Sequence, residues 1–589
     1  MKPPERETEH QIEFEPGGKT APCSAGESLL DTSRRAGLEI TSLCGGRGAC
    51  GRCRVRVVSG RMSPPTAGET RALSKRQIAE GYRLACQARP LTDCRVQVPA
   101  ESQSAVLRAQ VESLECTVAP DPPVQSYDLH LASMFCAGSS AEEGALLEML
   151  VNQHHIECRT IDPDAMRQLS QQTPHPKHMR ASVRGGEVVA FGRWPSAQLG
   201  LAFDLGTTKI AGYLVDLDRG ATLAARGILN PQVAYGEDII TRLVNARESA
   251  SHQRKLQQVA IKALNELVAS LCAQAGTKPQ DIVEAVLVGN TAMHHLALHL
   301  PIDQLLRPPF VPATAGALDV KARDLDLSIA PGAYVHSLPN VAGFVGADHV
   351  AMLLATECLW TGKAALAIDI GTNTEVSLIS RGRIACLSCA SGPAFEGGHI
   401  KHGMMAGAGA IERLRITKDK VEYQTVSGTP PTGICGSGIV DAMASLYAAG
   451  IVDASGRMHE HPLVRVTDGQ HDVREMQLAK GAIRTGIQVL LQSKGIAETD
   501  VELVILAGAF GSYLDVASAV AIDMLPPLPL DRFRQVGNAA GAGARMSLIS
   551  VAQRREAADL ARRIEYIELA SVPRFMQIFT RATQMGQVE

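Results

Sequence analysis

The chain has no apolar run approaching the ~20 residues that a membrane-spanning helix needs, so a helical membrane protein is not expected. It has little net charge. Its 58 Lys and Arg nearly balance 61 Asp and Glu to leave −3, which gives no ground for nucleic acid or a membrane surface as a partner. The first residues, MKPPERETEH, are too charged for a secretory signal peptide. Cysteine is sparse and scattered, 14 in 589 residues, so a disulfide framework is not expected; reduced thiols of a cytoplasmic protein are. What remains is ordinary globular material, 45% hydrophobic and 20% charged, and long enough for three or four domains.

Four of the cysteines are not scattered. Leu43-Cys44-Gly-Gly-Arg-Gly-Ala-Cys50-Gly-Arg-Cys53 sets three thiols at C-x5-C-x2-C spacing in a glycine-rich loop, and Cys86 follows in Leu-Ala-Cys86-Gln-Ala. Four thiolates so spaced can hold a [2Fe–2S] cluster, with backbone N–H groups of the loop tuning its potential. A zinc ribbon would require two C-x2-C pairs, and this stretch has one. Around the loop, Gln11–Glu15 alternates as a half-buried strand, Gly17-Gly18 turns it, and Lys19–Cys23 returns. Ser28–Ala36 has helical spacing, and Arg54–Val58 and Arg95–Val98 are further strands. Cys94, close to Cys86, is read as a non-ligating thiol.

Pro120-Asp-Pro-Pro123 marks an extended linker. From Leu129 to Val189 no period is sustained; a short helix is expected over Ala141–Leu150 and a strand pair over Ser182–Phe191, turning at Gly185-Gly186. His154, His155 and Cys158 lack the further ligands that a metal site would need.

Beyond residue 199 a device appears twice. Leu201-Ala-Phe-Asp204-Leu-Gly206-Thr207-Thr208-Lys209 is an apolar strand ending in an acid and a Gly-Thr-Thr hairpin tip. About 165 residues later, Leu366-Ala-Ile-Asp369-Ile-Gly371-Thr372-Asn373-Thr374 repeats it. Such tips present backbone N–H and hydroxyl donors to phosphate oxygens, and an aspartate at the strand end suits Mg²⁺. A third element, Val504-Ile-Leu-Ala-Gly508-Ala-Phe-Gly511, runs a strand into a glycine turn. Gly289-Asn290-Thr291 and Gly436-Ser-Gly438 each open a helix after a strand or turn. Gly392-Pro-Ala-Phe-Glu396-Gly397-Gly398 is a loop able to close over the cleft. Glu237 and Asp238 are expected at a helix start, with water positioning as the sharper alternative. His294 and His295, adjacent on a helix, should diverge and serve packing or surface. Cys386 and Cys389 are read as buried thiols.

These motifs carry resemblances. Residues 10–99 resemble the β-grasp ferredoxins, whose vertebrate and bacterial members share the longer first gap. The twin hairpins resemble the phosphate motifs of the actin, sugar-kinase and Hsp70 ATPases, and the Gly508–Gly511 turn resembles their adenosine motif. Fused, the two resemble the reductive activators of corrinoid proteins. That resemblance implies an α/β multidomain chain: a ferredoxin-like domain (10–99), a linker (100–125), a small middle domain (126–198) and a two-lobed actin-like ATPase with ribonuclease H-like halves (199–362 and 363–589). It implies ATP and Mg²⁺ held by Asp204, Gly206, Thr207, Thr208, Lys209, Asp369, Gly371, Thr372, Asn373, Gly508 and Gly511, with Asp204 and Asp369 driving the coupling. The cluster would sit on Cys44, Cys50, Cys53 and Cys86. The implied reaction is ATP-dependent delivery of one electron to a Co(II) corrinoid protein of a methyltransferase system, giving Co(I). An upstream low-potential donor would supply that electron, and dimerisation through the ATPase part is a further implication. No Asp-x-His-x-x-Gly cobalamin signature is present, so the corrinoid is expected on the partner. A dehydratase-type activator and a small-molecule kinase are the alternatives.

Overall fold

The computed structural model describes residues 9–15, 18–36, 38, 40, 48, 51, 53–99, 102, 111–113, 118–131, 142–170, 177–416, 420–461 and 469–586. Cys44 and Cys50 lie outside them, as does Gly37, the expected stop of the first helix.

The N-terminal unit holds strands β1 (His10–Glu15) and β2 (Lys19–Cys23), helix α1 (Leu29–Arg35), β3 (Arg54–Ser59), α2 (Ala67–Ala72), α3 (Lys75–Ala79), β4 (Tyr82–Leu84) and β5 (Cys94–Gln97). The sheet order is β2-β1-β5-β3-β4, with β1 and β5 parallel. The period-2 pattern of β1 puts Ile12 and Phe14 inward, fully buried with Val55, Leu84 and Val96. One charged residue is also fully buried. Glu69 accepts from both Nε and Nη2 of Arg83, at 2.8 and 2.9 Å, and from the backbone N–H groups of Leu84 and Thr66. These bonds fasten β4, which leads directly into Cys86.

The next unit contains β6 (Val124–His130), α4 (Glu142–His154), β7 (Thr160–Ile161), α5 (Pro163–Ser170), β8 (His178–Arg184) and β9 (Glu187–Arg193), in sheet order β6-β8-β9-β7. The strand pair turning at Gly185-Gly186 is present. α4 runs past the expected Leu150 to His154, and the added turn meets β6, with Gln153 donating to the His130 carbonyl and the His154 ring at the Asp128 carbonyl. The sequence is opaque here for a physical reason: β8 is buried from Met179 through Val183, so no alternation shows. This unit is tied to the following sheet by ion pairs. Arg184 reaches Glu284 and Asp319, Lys321 reaches Asp162 and Glu187, and Arg323 reaches Asp162.

Two larger sheets follow. The first takes β10 (Leu199–Leu205), β11 (Lys209–Asp216), β12 (Ala221–Leu229), β13 (Ile282–Val288), β14 (Leu318–Lys321) and β15 (Tyr334–Ser337) in the order β12-β11-β10-β13-β15-β14. Helices α6 (Ile239–Arg247), α7 (Ala250–Ala275), α8 (Thr291–Ala297) and α9 (Ala347–Trp360) accompany it. The second takes β16 (Ala365–Ile370), β17 (Thr374–Ser380), β18 (Arg383–Cys389), β22 (Leu503–Ala507), β23 (Phe533–Gly537) and β24 (Ile564–Tyr566) in the order β23-β22-β16-β17-β18-β24. Between β18 and β22 in sequence lies a small sheet of β19 (Ala410–Ile416), β20 (Val421–Thr425) and β21 (Gly433–Ile434). Helices α10 (Gly436–Ala448), α11 (Gly469–Lys494), α12 (Gly508–Gly511), α13 (Val516–Ala521), α14 (Ala539–Ile549), α15 (Val551–Arg563) and α16 (Phe575–Ala582) complete the chain.

The internal repeat is thus a repeat of topology. β12-β11-β10-β13-β15 and β18-β17-β16-β22-β23 run in the same order, with an antiparallel pair followed by a parallel neighbour in each. Asp204 and Asp369 occupy equivalent places near the carboxyl ends of β10 and β16, where open α/β sheets bind ligands. Helix α14 follows β23 yet packs on α9 and against β10 and β13, joining the lobes. Among the described residues no helix is long and apolar enough to cross a membrane.

Breaking the fully buried Glu69–Arg83 pair by Glu69→Ala should destabilise the N-terminal unit by ~3–5 kcal/mol. Hydrogen exchange at the Leu84 amide is the check; unchanged protection would show that the pair does not anchor β4.

Candidate functional site

Between the lobes lies a cleft walled by both hairpin tips. Asp204, Gly206, Thr207, Thr208 and Lys209 line one side, Asp369, Gly371, Thr372 and Asn373 the other, and Gly508 the floor. Gly511 is not on the wall; its carbonyl accepts from Gln535. The freedom of Gly508 serves the second hairpin. At φ +86°, a Cβ there would stand 2.5 Å from Asp369 Oδ1 and 2.7 Å from the Ile370 carbonyl oxygen.

Two asparagines brace the tips. Asn290 caps α8 by accepting from the Met293 N–H, and its amide donates to Thr207 Oγ1 at 3.0 Å. Asn538 caps α14 by accepting from Gly541 N–H and donates to Asp204 Oδ2 at 2.9 Å. Each therefore fixes a helix start and a cleft residue together. The reading from sequence gave Asn290 no role and missed Asn538, although the signal was present. Val288-Gly-Asn-Thr-Ala and Val536-Gly-Asn-Ala-Ala are the same pattern.

The cleft is crowded with acid. Asp204, Asp348, Asp369 and Glu375 all line it. Burial pushes Asp204 up to about 6, with the Asn538 hydrogen bond opposing, and burial together with the Asp204 charge pushes Asp369 up to about 7. Burial and then the neighbouring aspartates raise Asp348 and Glu375 as well. Carboxylates brought together in this way repel one another, which favours their protonated forms. Asp348, in the first turn of α9, was not anticipated from sequence.

Glu396 spans the gap between the tips. Its Oε2 accepts from Thr208 Oγ1 and from Thr372 Oγ1, each at 3.0 Å, and the two hydroxyl oxygens lie 3.1 Å apart. Nearby, His399 bridges the lobes at the rim, 3.4 Å from Glu237 and 3.6 Å from Glu475. Asp238 caps α6, accepting from Thr241 N–H, and Glu237 lies beside His399.

In the N-terminal unit Cys53 and Cys86 are buried with Sγ atoms 3.3 Å apart. That is far longer than the ~2.05 Å of a disulfide. It is near the ~3.8 Å separating thiolates that share one tetrahedral metal at ~2.3 Å. The Ala85 N–H donates to the Cys53 carbonyl, holding the two segments together. The residues present therefore fit a metal-thiolate group. The Cys94 thiol lies against the Thr92 carbonyl, and Cys386 and Cys389 are buried on β18, where burial raises both.

The histidines differ from expectation in one respect. His294 and His295 are buried, and their Nδ1 atoms converge to 3.3 Å, because His295 turns back to the Thr291 carbonyl while Asn340 meets His294. Burial lowers both, so they pack as neutral rings. His154 contacts the Asp128 carbonyl oxygen. Asp128, His130 and His178 form the one three-residue group of metal-binding type found among the described residues, an exposed cluster on β6 and β8.

Comparison with known proteins matches the three parts of the chain. Residues 12–91 match the 2Fe-2S iron-sulfur cluster binding domain, 199–359 the RACo middle region, and 363–470 with 463–589 the C-terminal domain of RACo, the ASKHA domain. The corrinoid activation enzyme RamQ of Eubacterium limosum is 31% identical over 95% of this chain and 96% of its own. The chain belongs to the RACo-type reductive activators of corrinoid proteins. A solved structure of this type, a reductive activator for corrinoid, iron-sulfur protein, superposes with TM-score 0.70 at 31% identity over 98% of each chain. A Methanosarcina barkeri relative, the [Co(II) methylated amine-specific corrinoid protein] reductase, is 25% identical over 62% of this chain and 72% of its own. As a RACo-type protein the chain carries a [2Fe–2S]-binding domain, and its ASKHA domain implies ATP as the ligand of the cleft.

Asp369→Asn tests the acidic crowding. A carboxyl raised to about 7 favours folding below its ordinary range near 3.8, and that contribution is lost as pH rises through 7. The variant should therefore raise the stability of nucleotide- and Mg²⁺-free protein at pH 8 by on the order of 2 kcal/mol, and flatten the pH dependence of Tm between pH 5 and 8. An unchanged pH slope would show that burial and the Asp204 charge do not raise Asp369.

Proposed function

We propose that the protein is an ATP-dependent reductase of a corrinoid protein. It takes one electron from an upstream low-potential donor and delivers it to the partner's inactive Co(II), giving Co(I) for methyl transfer. End-to-end likeness to a reductive activator, over 98% of both chains, is the observation that carries this reading.

When bound, the [2Fe–2S] cluster supplies one-electron chemistry at a potential around −400 mV. Cys44, Cys50, Cys53 and Cys86 would hold it, the last two from buried positions. Thr207, Thr208, Lys209, Thr372 and Asn373 grip the phosphates of ATP from both tips. Asp204 and Asp369, with Asp348 beside them in the cleft, would hold Mg²⁺ directly or through water, and a bound cation would relieve their mutual repulsion. Gly508 keeps its turn against Asp369, so the nucleoside side and the second tip move as one. Nucleotide acts by favouring the lobe arrangement that engages the Co(II) partner, since a ligand shifts an equilibrium only by its differential affinity for the two states.

The unit boundaries follow: ferredoxin-like domain to residue 99, connector to 125, small domain to 198, and lobes dividing at 362. The small domain moves with the first lobe through its ion pairs to Glu284, Asp319, Lys321 and Arg323. The cytoplasm is the compartment, and a homodimer through the ATPase part is the expected assembly.

An anaerobic absorbance assay tests the reading. Cluster-loaded protein, a low-potential reductant and a Co(II) corrinoid protein should yield Co(I) only with Mg-ATP; a reducible cluster and ATPase activity with no Co(I) across several corrinoid proteins would refute it. Cys50→Ala should abolish Co(I) formation and leave nucleotide affinity within about twofold, a change near 0.4 kcal/mol. Loss of nucleotide binding in that variant would sink the separation of roles. Asp369→Ala should do the reverse, and unaltered ATP-dependent activity would remove it from the nucleotide site.

A further inference from the structure

We propose that Glu396 is the residue by which the cleft distinguishes a nucleoside triphosphate from a diphosphate. Its carboxylate occupies the seat of the terminal phosphate between the two hairpin tips and is displaced when that phosphate arrives. The proposal rests on the nucleotide reading of the cleft and goes beyond it, since nothing in that reading assigns this residue a task.

The contacts are those that a phosphate oxygen would make. Thr208 and Thr372 stand on tips from opposite lobes, and one carboxylate oxygen takes a hydrogen bond from each. Burial raises the Glu396 carboxyl, and the positive charges of Lys209 and Arg242 oppose that rise together with the two threonine hydrogen bonds. A threonine hydroxyl has a single proton to donate. While Oε2 of Glu396 receives both protons, neither is free for a phosphoryl oxygen, and two anions cannot share the space without repulsion. A triphosphate reaching between the tips must expel Glu396. A diphosphate that stops short of them need not.

The loop is placed to report. The turn Pro393–Glu396 is bracketed by Gly392 and Gly397, at φ +74° and +78°, a region open to glycine. Phe395, beside Glu396, stacks on Phe510 of the glycine turn at 4.8 Å between ring centroids. The Phe395 carbonyl lies so close to Gly436, the first residue of α10, that a Cβ there would fall 1.9 Å from it. Three residues on, His399 joins Glu237 of one lobe to Glu475 of the other. Expelling Glu396 therefore disturbs the adenosine-side turn, the start of α10 and the rim bridge together. The presence of a terminal phosphate is thereby converted into a change between lobes.

The test measures Kd for a non-hydrolysable ATP analogue and for ADP, each with Mg²⁺, on the full-length cluster-loaded protein and its Glu396→Ala and Glu396→Gln variants. Where a blocking conformation holds ~90% of molecules, removing it tightens apparent affinity about tenfold. Glu396→Ala should show that gain for the analogue and leave ADP within about twofold. Glu396→Gln, which keeps an acceptor and loses the charge, should show a smaller gain in the same direction. ADP affinity doubles as the folding control; should Ala lose it, the Gln variant decides. An equal change for both nucleotides overturns the proposal as a general packing effect. Slower ATP turnover with no gain in analogue affinity overturns it in favour of a water-activating carboxylate. Failure of the wild type to bind either nucleotide overturns the cleft reading and the proposal with it, whereas binding without a triphosphate-selective gain overturns the proposal alone.

Discussion

Two hairpin tips 164 positions apart in the chain meet with their threonine hydroxyls 3.1 Å from each other, and the architecture beyond residue 199 serves that meeting. Each tip is a product of its own sheet, the turn between an antiparallel pair that lies inside it. What must be arranged is their approach from opposite lobes. Helix α14, rich in alanine and glycine, crosses back to pack on α9 and the first sheet, and so fixes the lobes at a distance where one carboxylate can touch both tips. The approach has a consequence: four acids are drawn into one cleft, where burial and mutual repulsion raise them. A cleft so loaded favours the protonated forms of its acids.

The electron-carrying part is built on a different economy of forces. A unit of this size has a small core, and it spends a fully buried ion pair, Glu69 with Arg83, on holding the strand that delivers Cys86 to Cys53. The pair is satisfied from every side, by the guanidinium and by two backbone N–H groups, which is the condition under which a buried charge is tolerated. Between this unit and the cleft residues in the chain lies the small four-stranded sheet, tied to the first lobe by charged side chains. Such a tie lets the first lobe and the small sheet move as a body.

Legibility in the sequence tracked the period of burial. β1 could be read because Ile12 and Phe14 alternate with exposed residues, and β10 and β16 because unbroken apolar runs end in Asp-x-Gly-Thr. The small sheet could not, because β8 is buried on both faces and β7 is two residues long. The adjacent histidines were expected to diverge, as helix geometry alone demands. They converge because a backbone carbonyl at Thr291 and the amide of Asn340 draw the rings together, and both partners come from packing. Asn538 was readable after all, through its Val-Gly-Asn-x-Ala twin at Asn290.

The sequence by itself determined the kinds of chemistry present. Ligand spacing in the cysteine loop, the twice-written hairpin and the glycine turn are local patterns, set by which dihedrals and donors a short stretch can offer, and they point to a cluster and a nucleotide without reference to the rest of the chain. Only the tertiary structure decided how those parts act on one another. That Glu396 reaches both tips, that Asp348 joins the acids, that Gly508 presses on Asp369 and that Gly511 stands away from the wall are outcomes of distances between segments scores to hundreds of residues apart. Such distances follow from the packing of whole sheets and helices, and no stretch of sequence contains them.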